Sequence, residues 1–461
     1  MRSAGGTAAL LATALLACDA GAATIEPSVK TDDIAVNGNC TLREAVQAAN
    51  TNAAVDACRK GQAAKADVIE LRNGDYDLTV AGEEDLNAGG DLDLLGGGPV
   101  EIRGRGINRT RVFGLPAERA LDLLTSDRLK VFALTLDGGS GEQRGGVIQA
   151  DDSAGDPRLI LDRVKVRDGT AQFGGGIGMI DGRLRVKRSI ITDNEARVST
   201  TGFPGVHAVG GGINLLFDVD ARISDTVLLN NDAVTNDSSA FGGGIATVFS
   251  TGGGETQVRR SLFNGNDVYS SSANASTTRQ GGAIHTNQQT GQLLVVNSTF
   301  YLNRSLGTGS GSVGGAVFAQ QGETTIDHAS FSENEAVAGS ALGLAGGSVA
   351  LSRSALVTES GPLCSEGSGS FSSGGYNVVG VNPFGCSLGG PRDLNADPLL
   401  AGGLADTGGQ TETLRLAAAS PAVDRIPASG CGPAEGEDQR DFKRPAGARC
   451  DSGAWERGAK P

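Results

Sequence analysis

The stretch AFGGGIATVF at 240–249 decides the fold, because the chain writes it repeatedly. QFGGGIGMI stands at 172–180, AVGGGINLLF at 208–217, and weaker copies, RQGGAIHT and SVGGAVFA, begin at 279 and 312. Glycine loses more conformational freedom on folding than any other residue, so a recurring run of it needs a structural cause. A sharp turn that demands φ > 0 is one such cause. Another is stacking: if copies lie about 4.8 Å apart, a side chain at the corner would meet its own copy.

A second signal follows each glycine run. SIITDNEA ends at 196, and TVLLNNDA, SLFNGNDV, STFYLNRS and ASFSENEA begin at 226, 261, 298 and 329. Aligned on Asn194, Asn231, Asn266, Asn303 and Asn334, these units are 37, 35, 37 and 31 residues apart. Three positions earlier each carries Ile191, Leu228, Phe263, Phe300 or Phe331. The spacing predicts that these apolar residues stack inward and that the Asn residues form a ladder of side-chain amides at an αL bend. In LILDRVKVRD (159–168) and DARISDTVLLNN (220–231) apolar and polar residues alternate, as half-buried strands require. No helical periodicity runs between 90 and 360, which excludes ankyrin and tetratricopeptide arrays, and leucine-rich repeats are shorter. The pattern predicts an all-β protein, a parallel β-helix of roughly nine to eleven coils. Less regular coils fall at 89–106, 119–139 and 144–151, and a smaller last one at 338–357.

Composition agrees. Glycine is 71 of 461 residues, roughly twice its average share, and aromatic residues are only 4%, so the core is thin and aliphatic. A net charge of −14 argues against nucleic acid or anionic membrane surfaces as partners. Near the start, Arg2 precedes an apolar stretch at 8–17 that is too short to span a bilayer, and Ala20-Gly21-Ala22 has the small-x-small form of a cleavage site. Residues 1–22 are therefore expected to be a signal peptide. Leu15-Leu16-Ala17-Cys18 also resembles a lipobox, which makes lipidation of Cys18 the alternative. No later segment is apolar enough to cross a membrane.

The six remaining cysteines allow 15 pairings, but they fall as three neighbouring couples: Cys40 with Cys58, Cys364 with Cys386 and Cys431 with Cys450. That is the economical set, each bridge worth about 3 kcal/mol. His207, His285 and His328 lie near none of them, so no zinc site is expected. An open β-helix end exposes strand edges and apolar side chains, and both termini are suited to cover one. TLREAVQAANTNAA (41–54) is the one convincing helix, opened by a Thr41/Glu44 capping box and carrying Leu42, Ala45, Val46 and Ala49 on one face.

At that helix a resemblance enters. Cys40-Thr41-Leu42-Arg43-Glu44-Ala45-Val46 with Ala48-Ala49-Asn50 resembles the CSLREA motif of bacterial exported β-helix proteins, with Thr41 in place of Ser. Gly408/Gly409/Thr411, Ser420 to Asp424, Asp438 to Arg440 and Cys450 to Glu456 resemble the choice-of-anchor Q domain. The resemblance implies a right-handed parallel β-helix exported to or beyond the bacterial envelope, and it assigns no reaction. In that family a sorting signal often follows the Q domain. Here only Arg457 to Pro461 follow, so release, or a lipid on Cys18, is expected instead. The expected organisation is a signal peptide at 1–22, a cap with the CSLREA-like helix at 23–88, β-helix repeats at 89–360, and a disulfide-stapled C-terminal region at 361–461.

Catalytic signals are weak. The NTD, GHG and RIK set of a pectin hydrolase does not occur. Asp168, Asp181 and Asp193 lie near Arg163, Arg167 and Arg188 in sequence, while Glu195, Asp232, Asp267 and Glu335 follow the repeat Asn, with Arg304 breaking the row. Such rows more often decorate a solvated turn face than form an acid/base site. Asp424, Asp438, Arg440, Arg444 and Glu456 are expected to hold long loops in shape through ion pairs and Arg-to-carbonyl bonds. The leading expectation is a monomeric, secreted or cell-envelope protein without cofactor or metal, non-catalytic, serving adhesion, glycan binding or surface architecture. A polysaccharide or cell-surface glycan is the expected partner. The alternative is a carbohydrate-active enzyme, most plausibly a polysaccharide lyase, for which Ca²⁺ would be the cofactor.

Overall fold

The computed structural model describes residues 22–461 except 83, 142, 152–154, 199–206, 251–253, 273, 275, 308–310, 359–360, 381–385, 387–388 and 432–435. Cys18 and almost all of the expected signal segment lie outside the described residues.

A central coil has five short strands: Ile213–Leu216, Asp220–Ser224, Val227–Leu229, Asp232–Thr235 and Ala240–Phe241. A glycine run then delivers the chain to Ile245–Ser250 of the next coil. Each strand pairs in parallel with its counterpart one coil on, Ile213 with Ile245, Val227 with Leu262, Asp232 with Asp267. The result is a parallel β-helix. First and second strands together form a 20-stranded sheet, third strands a 12-stranded sheet, and fourth and fifth strands sheets of five and four. The last two sheets make a side arm on the central coils alone.

The stack is longer than the repeat signals imply. Asp67–Glu70, within the 23–88 stretch, already pairs with Val100–Arg103. At the other end Cys364–Glu366, Ser370–Gly375 and Val378–Val379 add a full coil beyond 360. Among the described residues these outer coils carry no side-arm strand and no ladder Asn, so strand pairing continues where the periodic signal has stopped.

The three glycines of a run have three different causes. The first, such as Gly174 (φ +71°), Gly210 (+69°) or Gly242 (+61°), is left-handed. The second has no room: a Cβ on Gly243 would lie 2.5 Å from the backbone oxygen of Asp267 and 2.6 Å from that of Gly282. The third faces one backbone oxygen and the Asn amide: a Cβ would lie 2.7 Å from the Gly212 oxygen and 3.0 Å from Asn194 Cγ at Gly176, and 2.6 Å from the Ala283 oxygen and 3.4 Å from Asn266 Cγ at Gly244. In that third column Ala283 and Ala316 take over in later coils.

The Asn ladder corrects one expectation. Side-chain amides run from coil to coil, Asn194 to Asn231 (2.9 Å), Asn231 to Asn266 (2.9 Å), Asn266 to Asn303 (2.8 Å) and Asn303 to Asn334 (2.9 Å). The left-handed residue, however, is the one before: Asp193, Asn230, Gly265, Leu302 and Glu333. The ladder Asn is chosen for its buried amide, which donates to the chain and to its neighbour at once, and the bend is left to whatever precedes it. Inside, Phe263, Phe300 and Phe331 stack with centroids 4.9 and 4.7 Å apart.

Helix Leu42–Thr51 opens on the Thr41/Glu44 capping box and buries Leu42, Ala45, Val46, Ala48 and Ala49. It also buries Arg43, which pairs with Asp32 at 2.8 Å and donates to the carbonyls of Gly89, Gly90 and Asp91. Disulfides join Cys40 to Cys58, Cys364 to Cys386 and Cys431 to Cys450. The C-terminal region does more than cover the last coil at Val378. It runs back along the outer face, where Thr299 Oγ1 donates to Gln439 Oε1 (2.6 Å) and the Ala454 amide donates to Ser330 Oγ (2.9 Å). Among the described residues no helix is long and apolar enough to cross a membrane.

Candidate functional site

The side arm brings the repeat carboxylates together. Because its fourth strands pair in register, Glu195 lies beside Asp232, Asp232 beside Asp267, and Asp267 beside Arg304, with Glu335 bridging onward. Their inward neighbours Ala196, Ala233 and Val268 are fully buried, so alternation turns the charged row outward. Two positions on, the same face carries Arg197, Val234, Tyr269 and Leu306 in register. Tyr269 is 41% exposed, an aromatic ring left in solvent beside carboxylates.

The row is electrostatically crowded. Burial, with repulsion from Asp267 and Glu195, pushes Asp232 up to about 7. Asp267 is also raised by burial, although Arg304 opposes it. Arg304 does not reach outward as a free base. Its Nε lies 3.1 Å from both Asp267 oxygens, and the two side chains form an ion pair. Arg197 pairs with Glu195 in the same way. The arrangement offers hydroxyl-binding acceptors, paired guanidinium donors and one stacking ring along a straight face.

The other sequence candidates do not converge. Asp168 and Asp193 occupy one left-handed corner in neighbouring coils, whereas Asp181 sits at a different turn and accepts from the Asp218 amide at 3.0 Å. Arg167 is engaged by Asp137 and Asp168, and Arg188 by Asp162 at 2.7 Å. Arg163 lies over the ring of Phe132, 5.6 Å from its centroid. In the C-terminal region Arg440 pairs with Asp438 and donates to the carbonyls of Thr407 and Glu456. Arg444 donates to the carbonyls of Asp451 (3.0 Å) and Gly453 (2.8 Å) and reaches Glu456 at 3.5 Å. The Asp424 amide donates to Asp451 at 2.7 Å. These are loop-holding bonds. A cleft of about 600 Å³ between the coils and this region is lined by Arg188, Asp225, Arg260 and Asp441. There Arg260 is already held by Asp225 at 2.8 Å.

No family model matches the chain, and no curated protein matches it. Among solved structures, the crystal structure of pectate lyase Pel9A is similar with a TM-score of 0.41 and 11% identity, over 95% of this chain and 98% of that one. A likeness that distant transfers no activity.

Tyr269 and Arg197 escaped the sequence reading. The signal was present, since each lies two residues after a row position and so on the same strand face. It was hidden because Val234 and Leu306 occupy the same column.

Proposed function

We propose that the chain is an exported β-helix protein, non-catalytic and monomeric, that binds glycans along the outer face of its side arm. In this reading residues 1–22 are the signal peptide, the CSLREA-like helix caps the stack, and the Q-like C-terminal region braces its far end. Three disulfides support an oxidising location. The observation that carries the binding reading is the exposed Tyr269 ring two residues along the same strand from Asp267, whose register partners are Asp232 and Arg304. A sugar face stacks on an aromatic ring while its hydroxyls bond to fixed carboxylates and guanidinium groups, and rungs at constant spacing suit an extended chain.

One observation favours the second reading, a carbohydrate-active enzyme. Asp232, held near 7 beside a second carboxylate, has the protonation behaviour of a general acid. The test is a panel of plant, algal and bacterial polysaccharides presented to the purified chain, with and without Ca²⁺. Binding that falls at least about tenfold in Tyr269→Ala, with no new reducing ends or unsaturated products, supports the binding reading. Unchanged binding in Tyr269→Ala sinks it, and product release from any polymer, lost in Asp232→Asn, replaces it with the enzyme.

A further inference from the structure

The first-strand sheet carries an outward row in which Asp93 pairs with Asp122 and Asp122 with Gln149. In the central coils the equivalent positions are Asn214, Ala246 and His285, one rung apart. Near the N-terminal end this row is covered by the segment at 84–91, and two carboxylates become buried there, Asp93 at 0% and Asp122 at 1% exposure. Asp85, exposed and on that covering segment, completes the group: one oxygen from each of Asp85, Asp93 and Asp122 lies within 4.8 Å of the others. Two oxygens that each sit about 2.4 Å from one Ca²⁺ can be no further apart than that.

The carboxylates are only half satisfied by the protein. Asp93 Oδ2 accepts from the Asn87 amide at 2.7 Å, and Asp122 Oδ2 accepts from Arg119 at 2.8 Å. Asp93 Oδ1 and Asp122 Oδ1 are buried with no hydrogen-bond partner, and so is Oδ1 of the fully buried Asn87. Arg119 also serves Asp91 (3.2 Å), so one guanidinium faces several acids. Buried charges are ordinarily paired or metal-bound, because an unpaired one is costly. Asp93 and Asp122 each leave a buried oxygen without a protein partner, and with Asp85 they bring three hard carboxylate oxygens within the span one Ca²⁺ takes.

We propose that Asp85, Asp93 and Asp122 bind a calcium ion that fastens the N-terminal cap to the first coils. The elements it would join are already neighbours of the capping helix. Arg43 holds the carbonyls of Gly89, Gly90 and Asp91, and Asn50 Nδ2 donates to the carbonyl of Asp93 at 2.7 Å. The ion is structural in this role and independent of glycan binding by the side arm.

The experiment titrates CaCl₂ into the EDTA-stripped, purified chain by calorimetry, with thermal unfolding in EDTA and in Ca²⁺ as a second readout. One ion per chain and a higher unfolding midpoint in Ca²⁺ are expected. Asp85→Asn, at an exposed position that tolerates the change, weakens binding at least about tenfold by removing one charged ligand. Asp122→Asn abolishes the calcium response, yet in EDTA it unfolds no earlier than the parent, since a buried charge has gone. No calcium binding at millimolar concentration overturns the proposal, as does Asp85→Asn binding as tightly as the parent.

Discussion

Asn266 donates its side-chain N–H to Asn303 Oδ1 at 2.8 Å, while its own Oδ1 accepts from Asn231 at 2.9 Å. The same amide donates to the Leu228 carbonyl at 3.0 Å, and its residue is fully buried. One side chain therefore satisfies groups in the coils on either side of it. Leaving buried donors and acceptors unpaired costs about 1–3 kcal/mol each.

Asn266→Ala should destabilise the chain by about 2–4 kcal/mol on that basis, read as a lower denaturant midpoint. Asn266→Asp keeps the shape but turns two acceptors toward each other at Asn303. It should be at least as harmful at neutral pH and less so in mild acid, where the carboxyl can donate. An Asp variant as stable as the parent would show that the ladder is packing alone.

Within one glycine run the three positions should respond differently. Gly243→Ala drives a Cβ into the backbone of Asp267 and Gly282, which cannot give way. Gly244→Ala meets a single backbone oxygen, that of Ala283 at 2.6 Å, in a column where Ala283 and Ala316 themselves stand, whereas Gly243→Ala meets three. The first should lose far more stability than the second, compared by thermal unfolding. Equal losses would mean that the one oxygen facing Gly244 crowds as severely as the three facing Gly243.

Asp232 is pushed up to about 7 by burial first and by its acidic neighbours second. An acid whose folded pKa exceeds its unfolded value near 3.9 binds more protons when folded, so its ionisation erodes stability as pH rises between those two values. Asp232→Asn should therefore raise the unfolding midpoint at pH 8. The gain should shrink below pH 7 and vanish near pH 4. A gain independent of pH would place the cause elsewhere.

Arg444 is buried and ties the C-terminal region to the coils, donating to Asp451 and Gly453 carbonyls, to Glu456 and, at 3.4 Å, to Asn297 Oδ1. Arg444→Ala leaves the buried Glu456 charge with only the Ala446 and Asp451 amides donating to it, a loss of about 3 kcal/mol. Arg444→Lys should rescue little, because one ammonium cannot reproduce the fork. Hydrogen exchange should show faster opening of residues 437–456 in both variants while the Asn-ladder coils stay protected. Unaltered protection at 437–456 would remove Arg444 from the role of brace.

How legible the fold was can be traced through particular residues. Ile191, Leu228, Phe263, Phe300 and Phe331 were identifiable as one inward stack because each coil repeats the same local chemistry. Asp67–Glu70 and Ser370–Gly375 carry no such mark, since among the described residues their coils have no side-arm strand and no ladder Asn to set the beat. The carboxylate row was visible through its constant offset from the ladder Asn. Tyr269 was not, because a column holding Arg, Val, Tyr and Leu has no chemical signature.

The sequence by itself determined that this chain stacks into a parallel β-helix, where a helix caps it and which cysteines stand close enough to join. Those properties follow from periodicity, alternation and short-range spacing, which are local. Only the tertiary structure decided that the left-handed residue precedes the ladder Asn and that the second glycine is crowded by another strand's backbone. It alone placed Arg444 against Asn297, 147 residues away, and gathered Asp85, Asp93 and Asp122 from a covering segment and two successive coils. Such groupings depend on which residues meet across the pitch of the stack, and distance along the chain carries no record of that.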